Sequence, residues 1–351
     1  MKLLTFAIPC YNSEAYMEKA INSILVGGED VEIIVVNDGS KDGTQEIAER
    51  YQEKYPTIVK AIHQENKGLP AARQAGFALS HGKYIAFADS DDRVDRHMYP
   101  DLCALARQYQ ADIIHCDFTA VMPSKQKVCA VPYKPGYYDK KMLQEQVYPN
   151  MLYSGTYFTF NAAPNIWNKL FCRELLAKHL MQVPHDIRNG EDLLVTYPCL
   201  LDADSVYFTN APYYYYISRE ESMCHSVTMA QLHKLFLLFD TIERTFDTDR
   251  YPFLKPQLAY YTVYQTLLYV IPVMQEMRAS GQKSAAVRAL FQEIEARPFI
   301  ANAMHAIRPS ALNGRRNKLF VYGFRLHLFA LIWLANQTGA DLISDHSIIQ
   351  H

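Results

Sequence analysis

Over its first 117 residues the chain alternates short apolar runs with longer amphipathic stretches. The runs "LLTFAIP" (3–9), "VEIIVVN" (31–37), "IVKAIHQ" (58–64), "KYIAFAD" (83–89) and "ADIIHCD" (111–117) are too short for helices and rich in β-branched and aromatic residues, which predicts strands. Between them, apolar residues recur at helical spacing over about 13–26, 43–54, 70–80 and 96–109. Strands separated by helices of this length pair in parallel and form a sheet covered on both faces, so the predicted class is α/β. Ligands of such sheets bind at the carboxyl ends of the strands. The polar segments "PCYNSE", "NDGSKDG", "QENKGLP" and "DSDD" each follow a strand end.

From 118 to about 225 the pattern loosens, with prolines and aromatics among short elements. "GEDLLVTYPCLLDA" (190–203) predicts a helix with an acidic first turn, followed by the strand-like "SVYFTN" and "YYYYIS". After 226 the pattern is helical, as in "QLHKLFLLFDTIERTF" and "LAYYTVYQTLLYVIPVMQEM", which predicts a domain 1–225 and a helical region 226–351.

Composition narrows the function classes. With 49% hydrophobic and 21% charged residues the chain reads as soluble and globular, and a net charge of -2 gives no reason to expect nucleic acid as partner. The seven cysteines form no CxxC pair, the N-terminus lacks the apolar stretch of a secretory signal, and no run is long enough to span a membrane. Together these predict a cytoplasmic protein. The 25 tyrosines suit either core packing or stacking on sugars and bases.

The strand-end loops carry the candidate chemistry. In "PCYNSE" Pro9 ends a strand, Tyr11 offers an aromatic face and Ser13 is placed to cap a helix. In "NDGSKDGT" Asp38 would accept a hydrogen bond from an imide N–H, the group that distinguishes uracil from cytosine, or else stabilise the turn at Gly39. Lys67 and Arg73 flank the start of a predicted helix, an arrangement for a diphosphate or its ribose unless they are solvated surface cations. Asp89, Asp91 and Asp92 crowd one strand end and call for a counter-charge, for which a divalent cation arriving with a nucleotide diphosphate is the expected source. An EF-hand loop is excluded by Val94 and Pro100, and a dinucleotide fold by the lack of GxGxxG after the first strand. A DxDx[TV] aspartyl phosphatase, with Asp89 as nucleophile and Asp91 as acid, would need a hydroxyl where Arg93 stands.

Taken together, "FAIPCYN", "VNDGSKDGT", "NKGLPAARQAG", "IAFADSDD" and "GEDLLV" resemble, in order, the motifs of the family 2 glycosyltransferases, inverting enzymes of the GT-A fold. The resemblance covers residues 1 to about 225 and implies a nucleotide-sugar half (1–117) and an acceptor half (118–225). It implies that Pro9, Tyr11 and Glu14 line the base and ribose pocket, that Asp38 binds the uracil edge, and that Lys67, Arg73, Asp89 and Ser90 lie near the nucleotide. Asp91 would be the metal ligand of the DxD motif, holding Mn²⁺ or Mg²⁺, with His225 as a further ligand. Asp192 would be the general base, with Glu191 beside it. Trp167 and Lys169, in "NIWNKLFCRELL", would lie on the acceptor side, Trp167 as an apolar wall for a sugar ring or as a structural tryptophan with Lys169 and Arg173 at the surface. Two positions depart from the pattern: Gln74 stands for asparagine and Val195 for phenylalanine.

The implied reaction transfers a sugar from a nucleotide-diphosphate donor, UDP-linked, to a glycan or lipid-linked acceptor in surface-polysaccharide synthesis. The phosphatase and a non-catalytic sugar-binding or scaffold protein are the alternatives. Residues 315–336, "RRNKLFVYGFRLHLFALIWLAN", open with basic residues and continue apolar apart from Arg325 and His327. They predict either a peripheral membrane contact at Arg315, Arg316 and Lys318 or a helix packed onto the core. Self-association into a homo-oligomer is a further use for the helical region.

Overall fold

The computed structural model describes residues 2–26, 28–156, 159–187, 189–218, 227–282, 284–329 and 332. Two compact units divide the chain: Met1–Gln146 with Pro164–Glu220, and Val147–Ala163 with Glu221–His351.

The first unit is built on one mixed sheet. Its strands are β1 (Leu4–Cys10), β2 (Val31–Asp38), β3 (Val59–Gln64), β4 (Tyr84–Phe87), β5 (Arg93–Val94), β6 (Ile113–Met122), β7 (Lys125–Cys129), β8 (Gly136–Asp139), β9 (Lys169–Cys172) and β10 (Ser205–Ile217). They run in the order β3-β2-β1-β4-β9-β6-β10-β5, with β7 on β6 and β8 on β10. The β3-β2-β1-β4 portion is parallel, as the strand–helix alternation predicts. β9 then runs antiparallel between β4 and β6, while β10 is parallel to β6. Every residue of β1 and β2 is buried, so their sequences are mostly apolar, and the buried Glu32 is held by Thr5 Oγ1 and His81 N–H, each donating at 2.7 Å. The helices of this unit are α1 (Met17–Leu25), α2 (Thr44–Lys54), α3 (Leu69–Leu79), α4 (Met98–Tyr109), the single turn α5 (Lys140–Met142), α6 (Arg173–Leu180) and α7 (Glu191–Asp202). α3 sits hard against β1: a Cβ on Gly76 would lie 2.9 Å from the Ala7 methyl carbon.

Two local expectations change. α1 begins at Met17, later than 13, and its Ser13 does not cap it through the side chain; the hydroxyl instead meets Ser90 Oγ at 2.7 Å. "SVYFTN" and "YYYYIS" form one strand, bent by irregular register between Thr209 and Tyr214.

The second unit comprises α8 (Met229–Thr245), α9 (Leu254–Ala279), α10 (Ser284–Glu295), α11 (Pro298–Ala306) and α12 (Arg315–Arg325). Thr228 and Gln231 form a reciprocal capping box at the start of α8. The boundary expected after 225 does not account for 147–163. That segment is held by Gln257 of α9, whose Oε1 accepts from Leu152 N–H (2.8 Å) and whose Nε2 donates to the Tyr148 carbonyl (2.9 Å). Tyr153 stacks on Tyr260 at 4.0 Å. Among the described residues no helix is long and apolar enough to cross a membrane.

Candidate active site

The site is assembled at the C-terminal ends of β1, β2 and β4. The loops after β1 and β2 lock together by reciprocal hydrogen bonds. Asn12 N–H donates to Ser40 Oγ, Lys41 N–H to Asn12 Oδ1, Ser13 N–H to Thr44 Oγ1 and Gly43 N–H to Glu14 Oε2 (2.8–2.9 Å). Glu14 therefore orders the loop pair. Tyr11 projects beside it with half its surface exposed, and Pro9 is buried within β1.

Asp38 closes a second junction. Its Oδ1 accepts from Gln64 Nε2 (2.7 Å) and Lys67 N–H (2.9 Å), and its Oδ2 from Gly68 N–H (2.9 Å). Asp38 is buried and ties the end of β2 to the chain after β3, while the turn at Gly39 is held by Asn37, whose Oδ1 accepts from Ser40 N–H (3.0 Å). Gly39 is required there, since at φ +72 a Cβ would come within 2.7 Å of Asn66 N. Lys67 enters this junction through its backbone, while its side chain is exposed.

Arg73 corrects the sequence reading most. It is neither a surface cation nor part of a helix-start anion site. It lies in the middle of α3 with a side chain only 3% exposed, surrounded by carboxylates. Nη1 donates to Asp192 Oδ1 (2.5 Å) and Glu191 Oε1 (3.1 Å), and Nη2 to Asp89 Oδ1 (3.3 Å). Burial alone would lower its pKa; Asp192, Asp89 and Glu191 outweigh burial and raise it above its ordinary value. One counter-charge for the strand-end acids therefore comes from within the protein, joining the donor-side motif to "GED" across more than a hundred residues. Side-chain exposure ranks the acids: Asp89 28%, Asp192 20%, Glu191 10%. Burial, reinforced by the charge of Asp192, raises Glu191 to about 7 against the pull of Arg73. Burial likewise raises Asp89 to about 6.

Asp92 is the member of the acidic triplet that turns inward. Its Oδ2 accepts from Tyr214 Oη (2.8 Å) and its Oδ1 from Ile217 N–H (2.7 Å), while Tyr214 Oη accepts from Asp89 N–H (3.1 Å). Burial, then the charges of Asp89 and Asp91, raise its pKa well above the ordinary value. Tyr214 is a residue that sequence reasoning missed. A tyrosine buried in a sheet needs a partner for its hydroxyl, but nothing local identifies that partner 122 residues away.

Asp192 is held on both oxygens, because its Oδ2 accepts from Ile166 N–H (3.2 Å). That amide belongs to the turn preceding β9, which Lys169 organises by donating to the Asn165 carbonyl (2.5 Å) and Asn168 Oδ1 (2.8 Å). Lys169 is buried, so its surface assignment is corrected, and Trp167 is buried too. The indole stacks on Tyr214 at 4.2 Å and meets Phe118 edge-on at 4.9 Å, which makes it the structural tryptophan of the two readings. Arg173 is partly buried as well, donating to carbonyls of Ser80 and Gly82. Gln74 anchors α3 to the chain before "GED" by donating to the carbonyls of Leu180 and Val183. His225 lies outside the described residues.

The buried ammonium gives a checkable pH signature. Burial lowers Lys169 from 10.5 to about 7. Between these values the unfolded chain holds the proton that the folded chain has released, so this group makes stability rise with pH across that window. Lys169→Met is expected to flatten the rise, as measured by denaturant midpoints taken between neutral and alkaline pH.

A parallel β3-β2-β1-β4 portion with acids at its carboxyl edge and a second acidic pair at a helix start has the architecture of a GT-A nucleotide-sugar fold. Residues 5–164 match the family model described as Glycosyl transferase family 2. A cholesterol galactosyltransferase of Borreliella burgdorferi is 31% identical over 238 residues, 66% of this chain and 62% of that protein. The putative glycosyltransferase EpsH of Bacillus subtilis is 31% identical over 219 residues, 61% of this chain and 60% of the relative. The chain thus spans about three fifths of the length of these curated relatives. Among solved structures, Staphylococcus aureus TarS 1–349 in complex with UDP-GlcNAc superposes with a TM-score of 0.62 at 18% identity, covering 96% of this chain and 90% of that one.

Proposed function

We propose that the protein is an inverting glycosyltransferase that moves a sugar from a UDP-linked donor to a hydroxyl of a glycan or lipid-linked acceptor, in the synthesis of a surface polysaccharide. The observation that carries this reading is the Arg73 cluster, which binds the DxD-side carboxylate Asp89 and the "GED" carboxylates into one charged unit. Names of relatives support the class, among them the galactosyltransferase above and a poly(ribitol-phosphate) beta-N-acetylglucosaminyltransferase, TarS, 24% identical over 224 residues.

In this mechanism Asp192 takes the proton of the acceptor hydroxyl as that oxygen attacks the anomeric carbon from the face opposite the diphosphate. Arg73 and Ile166 N–H fix the orientation of the carboxylate, and each oxygen retains a second acceptor direction. Glu191, more buried and raised to about 7, supports Arg73 from behind. The phosphatase alternative needs Asp89 as nucleophile, yet Asp89 Oδ1 faces the Arg73 guanidinium.

The donor set for a metal is hard oxygen: Asp91, half-buried beyond β4, with Asp89 beside it. Among the described residues no three His, Cys, Asp or Glu side chains converge on a metal site. Mg²⁺ and Mn²⁺ bind through one or two carboxylates and take further ligands from water and phosphate, so two aspartates are a sufficient protein donor set for the proposed ion. Such an ion, when bound, supplies charge for the leaving diphosphate.

Thermal-shift measurements with UDP-galactose and UDP-N-acetylglucosamine in the presence of Mn²⁺ test the reading. The expected result is a rise of about 5 °C at a hundredfold excess over Kd, reduced by EDTA. A response to phosphorylated sugars and to no nucleotide would instead identify the phosphatase.

A further inference from the structure

Among the described residues, α12 packs one face and leaves the other exposed. Phe320, Val321 and Phe324 are buried, with Phe320 and Phe324 set against Phe291 of α10 at 5.3 and 6.2 Å. Gly323 lies so close to Ile332 that a Cβ would come within 2.5 Å of its Cγ1. This is the packed helix that the sequence offered as one alternative. The other face runs through Arg315, Leu319, Tyr322 and Leu326, spaced i, i+4, i+7 and i+11, so they share one side of the helix. On that side Leu319 is 54% exposed, Tyr322 49% and Leu326, just past the helix end, 62%.

The charge carried by α12 itself has one sign. α12 contains Arg315, Arg316, Lys318 and Arg325 and no acid. Arg325 turns inward, donating to the carbonyls of Met304 and His305 in the last turn of α11 and of Ile307 just past it, so it caps that helix and takes no part in the outer face. Arg315, exposed, and Arg316 and Lys318, both half-exposed, lie in the first turn of α12, where the ridge begins. The nearby acid Glu295 is paired with His327 at 2.7 Å. A soluble partner with an apolar groove would match the leucines but would not require three clustered cations. An anionic bilayer surface matches both, with the leucines and Tyr322 entering the headgroup boundary and the basic heads meeting phosphate.

We propose that the outer face of α12 docks on anionic phospholipid, through Leu319, Tyr322 and Leu326 with Arg315, Arg316 and Lys318. The contact is peripheral, resting on the sum of a short apolar insertion and a cationic cluster, neither of which anchors alone. It does not depend on the catalytic reading.

The test is co-sedimentation of the full chain with vesicles of phosphatidylglycerol and phosphatidylcholine in equal parts, against pure phosphatidylcholine. The expected result is binding to the mixed vesicles that weakens with added salt. Neutralising Arg315, Arg316 and Lys318 together lowers it about a hundredfold. Leu319→Glu combined with Leu326→Glu abolishes it while the thermal unfolding profile stays that of the parent, because both side chains are exposed. Absence of vesicle binding by the parent chain, or equal binding by these variants, overturns the proposal. Sedimentation velocity covers the other occupant: a dimer dissolved by Leu319→Glu, without vesicle binding, would assign the ridge to a second copy of the chain and also overturn it.

Discussion

Asp192→Asn is expected to lower kcat for sugar transfer by about 10²–10⁴-fold while UDP affinity stays within a few-fold of the parent. The residue is accessible enough to meet an acceptor, at 20% side-chain exposure, and it belongs to the start of α7 and not to the loops after β1, β2 and β4. Asparagine is not geometrically silent here. Both aspartate oxygens accept from the protein, one from Arg73 and one from Ile166 N–H, so the amide must turn its NH₂ toward one of these donors. The variant should therefore also lose about 1–3 kcal/mol of stability, the cost of leaving a buried donor unpaired. Single-turnover transfer rates, calorimetric UDP titration and urea unfolding read the three quantities separately. Transfer at the parental rate would remove Asp192 from the role of base.

The largest expected effect on stability belongs to Arg73. Arg73→Met keeps much of the side-chain volume but removes the guanidinium that faces Asp89, Glu191 and Asp192, leaving three carboxylates to repel one another in a poorly solvated site. Loss of about 3–5 kcal/mol is expected at neutral pH, as for other buried ion pairs broken from one side. Because the cost is charge left uncompensated, Glu191→Gln added to Arg73→Met should restore part of it. In a double-mutant cycle the coupling between the two positions should be of the order of 1–3 kcal/mol. A single variant within about 1 kcal/mol of the parent, or additive behaviour in the cycle, would show that packing and not charge holds the cluster together.

Most of the first unit was legible before any coordinates. The five runs up to residue 117 all became strands, the intervening periodic stretches all became helices, and the polar loops after β1, β2 and β4 meet where parallel sheets bind ligands. "GED" opens a helix as its pattern predicts. The reason is local: alternation and 3.6-residue spacing record which side of an element is buried, and a turn's chemistry is set by its own few residues. The same locality misled at Arg73 and Lys169, and it left Trp167 between two readings. A basic residue on a helix or beside a strand carries no mark of whether it meets water or a carboxylate arriving from elsewhere.

Sequence alone determined the class of fold, the order of the strand-end motifs and the family they resemble, since these follow from short-range patterns. Only the tertiary structure decided which charge answers the acids at the end of β4, because Asp89 and Asp192 meet the same guanidinium through contacts spanning 16 and 119 residues. It also decided that Tyr214 ties Asp92 into the sheet, that 147–163 packs with the helical unit, and that α12 buries one face and leaves the other open. Such pairings depend on chain closure. Periodicity says that a side chain is buried; it does not say against what.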